Sequence, residues 1–516
     1  MAHLTDVRIV SEPLGGSALS LLLQRSEAPA QWAPNRPRSA EEWRARATTR
    51  LAECRWEECW ARLEPALAAS GAAAERLARV RREGGVVVTT GQQPGLFGGP
   101  VYTWSKAMGA LALANAIEQE TGIPTAAIYW AATDDADFAE ASSTVLGHIG
   151  GPELLRSEHA PLAGTPMALA PIGDLSPLLS RLRETTGSAA EPHPLDVVER
   201  AYGDPAQTVG GAFVTLLREL LAPFGMPVID ASHESVRAAA DVTLRAALRG
   251  AADVQRALEA RSRDLRAAGY EPQVDDIPDL TLVFRREDAI KRRISVKEAA
   301  SVGSDQAAWL SPNVLLRPIV EHAILPTIAY VGGPGEVAYF AQVSAVAHAM
   351  NRAAPLAVPR WSCTLIEPHI ARLLAKRDVT PQQLAQPNTI EGILARATMD
   401  DRTLGALAEL RRVIDSMPGA LAPEVEAMGL VAAVQGSVHQ LHHRVDRLER
   451  RLVAGVKRRE SALLRDIATL RAALYPHGIR QERALNLLPT LSRHGTELLQ
   501  EMLQAASGHA CMLVGA

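Results

Sequence analysis

Three stretches of the chain concentrate groups able to do chemistry. The first is Thr90-Gly91-Gln92-Gln93-Pro94-Gly95-Leu96-Phe97-Gly98-Gly99-Pro100. Glycines let backbone N–H groups approach a ligand closely, and a helix opening behind the loop favours an anion at its N-terminus. Gln92 and Gln93 add donors and acceptors at that edge. Lys106, one or two turns into the helix, is in reach of a phosphate or carboxylate. The loop matches neither the Walker pattern nor GxGxxG, so a structural glycine turn is its competing reading.

The second stretch is Thr133-Asp134-Asp135-Ala136-Asp137-Phe138. Carboxylates this close repel one another, and their proximity calls for a cation, a basic partner or solvent. Asp134, Asp135 and Asp137 are candidates for metal binding, amine recognition or general base catalysis. The bland alternative is a solvated loop in which Asp137 caps a helix. The third stretch is Ser311-Pro312-Asn313 with Arg317, followed by Gly332-Gly333-Pro334-Gly335-Glu336. A Gly-Gly-Pro-Gly turn makes a concavity of backbone donors, and Arg317 is suited to clamp a carboxylate through two bonds, its rival reading being a structural salt bridge to Glu321 or Glu336. Glu336 falls in a first helical turn, where a carboxylate also has a plain dipole role. The predicted binding set is therefore Thr90, Gly91, Gln92, Gln93, Gly95, Gly98, Lys106, Asn313, Arg317, Gly333, Gly335 and Glu336, with the three aspartates catalytic. His233 follows a strand end; His439, His442 and His443 read as a solvated helix face. No Ser–His–Asp order or zinc signature can be assembled.

The elements that must position these groups are three strand–turn–helix cycles. Val86–Val88, the glycine loop, a helix from Val101 to about Glu120 and a strand over Thr125–Trp130 make a βαβ unit. A second cycle starts at Val228 and a third at Thr327, so the class is α/β with a parallel sheet. Ligands of such sheets bind at the carboxyl ends of the strands, where all three stretches lie. Residues 38–83 predict one or two preceding helices, with Trp56 and Trp60 on one packed face. Residues 149–206, dense in Pro, Gly and Ser, read as a connecting insertion rather than sheet.

Beyond Pro359 strand-like runs vanish. Val434, Val438, Leu441, Val445, Leu448 and Leu452 keep a heptad spacing that Leu463, Ile467, Leu470 and Leu474 resume after a phase slip near Val456. This is a coiled-coil pattern, although an antiparallel helix pair gives the same spacing. A turn at Tyr475–Gly478 and a last helix near 495–506 follow. The expected domains are 1–365 and 366–516. The stripe predicts a homodimer through the C-terminal helices.

The bulk numbers restrict function. A net charge of −4 and pI near 6.4 leave no basic field for nucleic acid. No apolar run approaches the roughly 20 residues of a membrane span. The N-terminus lacks the order of a signal peptide, and four cysteines show no CxxC pair, so a cytoplasmic chain is expected.

TGQQPGLFGGPVYTWSK, SPNVLLRP, YVGGPGEVAYFAQ and YPHGIRQERALN, in this order over roughly residues 85 to 490, resemble the bacillithiol-biosynthesis cysteine-adding enzymes. The resemblance implies a Rossmann-like core with connecting segments and a C-terminal coiled coil that pairs two subunits. It implies a ligase joining cysteine to the amine of glucosaminyl-malate, the last step of bacillithiol synthesis. Forming an amide from a free carboxylate requires activation as an acyl phosphate or adenylate, which brings in ATP/ADP with Mg²⁺. The glycine loop would hold phosphates or substrate, the aspartates a cation or the hexosamine amine, and Arg317 a carboxylate of cysteine or malate. The family pattern EDHDFEE stands here as Asp134-Asp135-Ala136-Asp137-Phe138-Ala139-Glu140, with Ala136 for His; Ser143 replaces a further His, and Glu321 stands where Gln is usual. Two other readings stay open: a nucleotidyl or sugar-conjugate transferase on the same scaffold, and a catalytically impaired binding or assembly protein.

Overall fold

The computed structural model describes residues 5–54, 56–148, 151–187, 191–386 and 389–515. Its central sheet has five parallel strands: β1 (Val86–Gln92), β2 (Thr125–Ala131), β3 (Val228–Asp230), β4 (Thr327–Gly332) and β5 (Ala357–Pro359). Their order is β5-β4-β1-β2-β3. The chain steps outward from β1 to β3, then returns to lay β4 on the other side of β1. That reversal places the switch point between β1 and β4, where loops leave in opposite directions and open a crevice at the carboxyl ends.

Period-2 alternation divides the strands between two cores. Val86, Val88, Ala127 and Tyr129 face one, while Val87, Ala126, Ile128 and Trp130 face the other. Both faces are covered, as a parallel sheet requires. Helices α1 (Val101–Thr121), α2 (Glu234–Arg249) and α4 (Pro334–Ala349) follow β1, β3 and β4, and α3 (Arg317–Ile324) precedes β4. α1 is Ala- and Leu-rich and buried nearly all round, because it lies between the sheet and the terminal helix Glu497–Val514. Gly122, at φ 72°, ends it in the left-handed conformation.

The structure differs from the sequence expectation in two places. The N-terminal region forms three helices, Ala40–Glu53, Trp56–Leu67 and Gly71–Glu83. Trp60 is buried, whereas the Trp56 side chain lies outside the described residues. The 149–206 insertion contains the strand Gly151–Arg156, paired with Ser143–His148 away from the central sheet, and two helices; its residues 149–150 and 188–190 lie outside the described set. Contacts divide the chain into a unit of Met1–His148, Pro152–Pro368 and Gln481–Ala516 and a unit of His369–Arg480 with Ile149–Gly151. The last helix therefore belongs to the core.

The second unit is helical, built on α5 (Asp401–Ala427) and α6 (Val431–Arg459). They pair antiparallel: Arg411 bonds Asp446 at 2.8 Å, and Asp415 bonds His442 at 2.8 Å. Leu407 and Ile414 of α5 pack with Val438, Leu441, Val445 and Leu452, so part of the heptad stripe is covered within one chain. Leu448 stays 45% exposed. The phase slip precedes the end of α6 at Arg459, and Leu463, Ile467, Leu470 and Leu474 are buried on the next helix, Ser461–Leu474.

Candidate active site

At the switch point a cavity of about 660 Å³ opens between the loops after β1 and β4. Lys106 forms its floor. α1 starts directly behind the glycine loop, so its second turn projects this side chain back under the loop, where it is 2% exposed. Its ammonium donates to the Gly91 carbonyl at 2.7 Å and Gln92 Oε1 at 3.0 Å, and it forms an ion pair with Glu336. Glu336 is also the capping residue of α4: its carboxylate accepts from the Gly333 N–H at 2.7 Å and from the Tyr330 hydroxyl at 2.5 Å. Burial pushes the Glu336 carboxyl up, but Lys106 and these donors outweigh it and hold the group below its ordinary value. Burial dominates at Lys106 and lowers its pKa.

Arg317 lines the same cavity. It donates to Glu321 Oε2 at 2.8 Å and to the Tyr339 hydroxyl at 3.3 Å, and its guanidinium lies 4.8 Å from the centre of the Tyr330 ring. Glu321, 2% exposed, is held in turn by the Thr89 hydroxyl. The fork of Arg317 is thus engaged by a protein carboxylate, the salt bridge to Glu321 that the sequence offers beside a ligand clamp. Asn313 starts the turn into α3 by accepting from the N–H groups of Leu315 and Leu316 at 3.1 and 3.0 Å. Its Nδ2 is buried at the cavity without a partner. That is a donor left for a ligand or a water.

Asp134 and Asp135 line the side facing β2. Lys291, from the hairpin Leu280–Glu287/Ile290–Ser295, donates to the Asp134 carbonyl at 2.6 Å and lies 3.5 Å from its carboxylate. Burial, reinforced by Asp134, pushes the Asp135 carboxyl up against the opposing Asp137 N–H bond of 3.0 Å. Among the described residues no three His, Cys, Asp or Glu side chains converge on a metal-sized point. The aspartates do not form the cation cage that their spacing allowed.

The cavity brings together Gly91, Gln92, Gln93, Lys106, Asp134, Asp135, Asn313, Arg317, Gly333, Gly335 and Glu336. It does not include the other four. Thr90 is buried and donates to the Val331 carbonyl at 2.8 Å, tying β1 to β4. Gly98, at φ 80°, packs on Trp104, and Gly95 shapes the same turn. Asp137 caps the short helix Phe138–Ala141 by accepting from Glu140 N at 3.3 Å. His233 is likewise a cap: its Nδ1 accepts from Ser235 N at 3.2 Å. At Gly91 a Cβ would sit 2.6 Å from the Trp130 carbonyl, so the close approach of β1 to β2 requires glycine.

Several lining residues escaped the sequence reading. Tyr102, whose hydroxyl is pushed above the ordinary phenol range by burial and then by Glu140 and Glu336, lies beside Gln92. Phe284, Lys291 and Arg293 come from the hairpin, a segment that carries no glycine loop or carboxylate cluster to mark it in the sequence. Arg360 and Arg483 come from either side of the helical unit. Arg483 lies in the motif YPHGIRQERALN, the one signal that could have marked it.

Comparison with known proteins bears on this arrangement. The family model described as Bacillithiol biosynthesis BshC, N-terminal Rossmann-like domain, matches residues 35–361, and that of the C-terminal coiled-coil domain matches residues 363–512. A relative in Solibacter usitatus (strain Ellin6076) is 31% identical over 442 residues, 82% of each chain. One in Koribacter versatilis (strain Ellin345) is 33% identical over 464 residues, 84% of this chain and 85% of the relative. A third, in Chlorobaculum tepidum, is 28% identical over 468 residues, 82% of this chain and 81% of the relative. All three carry the name of a candidate cysteine ligase, BshC. With both family models matched in order across nearly the whole sequence, the chain belongs to the bacillithiol biosynthesis BshC family.

Proposed function

We propose that the protein is a cysteine ligase that joins the carboxyl of cysteine to the amine of glucosaminyl-malate, with the switch-point cavity as its active site. The observation that carries this reading is that one cavity is lined both by two adjacent aspartates, Asp134 and Asp135, and by six cationic side chains. An acceptor that is a primary amine at one end and a dicarboxylate at the other fits a lining that holds both kinds of charge. In the reaction the amine nitrogen bonds to the carboxyl carbon of cysteine, the bond from that carbon to the activating oxygen breaks, and the ammonium gives up a proton. Asp135, whose buried carboxyl holds a proton more readily than an ordinary aspartate, is the acceptor for it. Lys106 and Glu336 keep the two loops in register, and Arg317, backed by Glu321, presents fixed positive charge to the developing oxyanion.

ATP or ADP fits the lining, since its phosphates would meet cationic side chains and the glycine loop; bound there it supplies the activating phosphate or adenylate. A Mg²⁺ ion would depend on one aspartate and on phosphate oxygens rather than a protein cage. The reaction is assigned to the cytoplasm, in keeping with the absence, among the described residues, of a helix long and apolar enough to cross a membrane. A homodimer through α5 and α6 would cover the apolar side chains left exposed there, Leu410 at 46%, Val413 at 52% and Leu448 at 45%.

The purified protein, given cysteine, glucosaminyl-malate and ATP, should yield bacillithiol detectable by thiol mass spectrometry. Turnover of a nucleotide sugar without cysteine incorporation would instead establish the transferase reading. A deletion strain should accumulate glucosaminyl-malate and lack bacillithiol.

A further inference from the structure

Six cationic side chains line the cavity, and the structure separates them into two kinds. Lys106 is paired with Glu336, Lys291 with Asp134, Arg317 with Glu321, and Arg360 with Glu482. Arg293 and Arg483 line the same cavity, yet among the described residues neither forms an ion pair or donates a hydrogen bond to a protein acceptor. Arg293 Nε is buried without a partner, which leaves its desolvation uncompensated. Asp276 is near Arg293 but makes no ion-pair contact with it. Arg293 and Lys291 are two apart on one strand and share a face, with the Arg293 guanidinium 5.6 Å and the Lys291 ammonium 4.7 Å from the Phe284 ring centre. Arg292, between them, points the other way toward Glu287. Arg483 is exposed at the rim near Tyr102.

We infer that Arg293 and Arg483 form a two-point site for a doubly negative ligand group, a dicarboxylate or a phosphate chain, entering the switch-point cavity. The paired cations share their charge with protein carboxylates, so the strongest net attraction for an incoming anion falls to these two. Each guanidinium presents a planar fork that matches a carboxylate or phosphate edge. The two come from segments remote in sequence, the hairpin and the stretch that re-enters the core at Gln481, so the site exists only when both are docked. The inference rests on the ligase reading, in which both a malyl dicarboxylate and a nucleotide phosphate must be bound.

The test is calorimetric titration of the full-length chain, wild type, R293Q, R483Q and R292Q, with glucosaminyl-malate and with ATP in separate experiments. R293Q and R483Q should both weaken the same one of the two ligands by roughly ten- to a hundredfold, as expected for losing a charge-assisted contact, and a loss on different ligands would overturn the two-point site. The ligand that shifts identifies the group. R292Q should bind like wild type; an equal loss there would mean a general field and overturn the two-point site. Unchanged affinity for both ligands in R293Q and R483Q also overturns it, while leaving the ligase reading intact. A wild-type chain that binds neither ligand sinks both together. Should R293Q fail to fold by circular dichroism, R483Q, altered at an exposed position, decides alone.

Discussion

Arg360 and Glu482, 122 residues apart in the chain, form a two-bond ion pair with both contacts at 2.7 Å. Each side chain is only 3% exposed. Arg360 also donates to the Trp361 carbonyl at 2.9 Å and Ser105 at 3.2 Å. Beside the pair, the Gln481 amide bonds both backbone groups of Leu365 at 2.8 Å. The contacts clasp the segment that leaves the core for the helical unit to the segment that returns, next to the cavity wall.

Glu482→Gln should accordingly cost about 3–5 kcal/mol, because it strands a buried guanidinium. Chemical denaturation measures this. Glu199→Gln, which breaks the exposed pair with Arg183, should cost less than about 1 kcal/mol. Equal small losses in the two variants would show that the clasp is energetically idle.

The Lys106–Glu336 pair should behave as a unit. Lys106→Met should destabilise by roughly 2–3 kcal/mol, below a fully buried pair because Glu336 keeps 21% of its side-chain surface. Adding Glu336→Gln should return part of that loss, since the second change removes the uncompensated carboxylate. A double-mutant cycle in denaturant tests the coupling. Ligase activity should fall in both variants, whatever their stability.

Asp135 predicts a pH dependence with a definite sign. Its folded-state carboxyl is raised by burial, so the native state binds more protons than the unfolded chain between pH of about 4 and the raised value. Its stabilising contribution is therefore complete below that window and is lost as pH rises through it. Relative to Asp135→Asn, the wild type should lose melting temperature across the window and stay parallel above it. Turnover should follow the opposite course, rising as Asp135 ionises. Parallel melting curves at every pH would remove the premise.

Leu448→Lys should leave the α5–α6 pair folded, since Leu448 is 45% exposed while Val445 packs against α5. Sedimentation should show a dimer for the wild type and a monomer for the variant. Leu441→Lys should instead loosen the helix pair itself, because Leu441 packs into the cluster between the two helices. Wild type that sediments as a monomer would exclude the dimer.

The sequence by itself determined the three strand–loop–helix cycles, the parallel sheet and the arrival of the glycine loop, the aspartates and the Gly-Gly-Pro-Gly turn at one end of it. These follow from local signals: β-branched runs, helical spacing and glycines where backbones crowd, as at Gly91 beside Trp130. The heptad stripe was equally legible, but spacing reports only which face is apolar; the partial cover by α5 is a pairing between segments. Tertiary structure alone decided the charge pairing. Lys106 meets Glu336, Arg317 meets Glu321 rather than standing free, and Asp137 turns into a helix cap outside the cavity. It also brought in the hairpin bearing Lys291 and Arg293 and returned Gln481–Ala516 to the core. A charge in the sequence carries no record of its partner. The pairing is set by which buried carboxylate each cation must meet once water has been removed, and that depends on the whole fold.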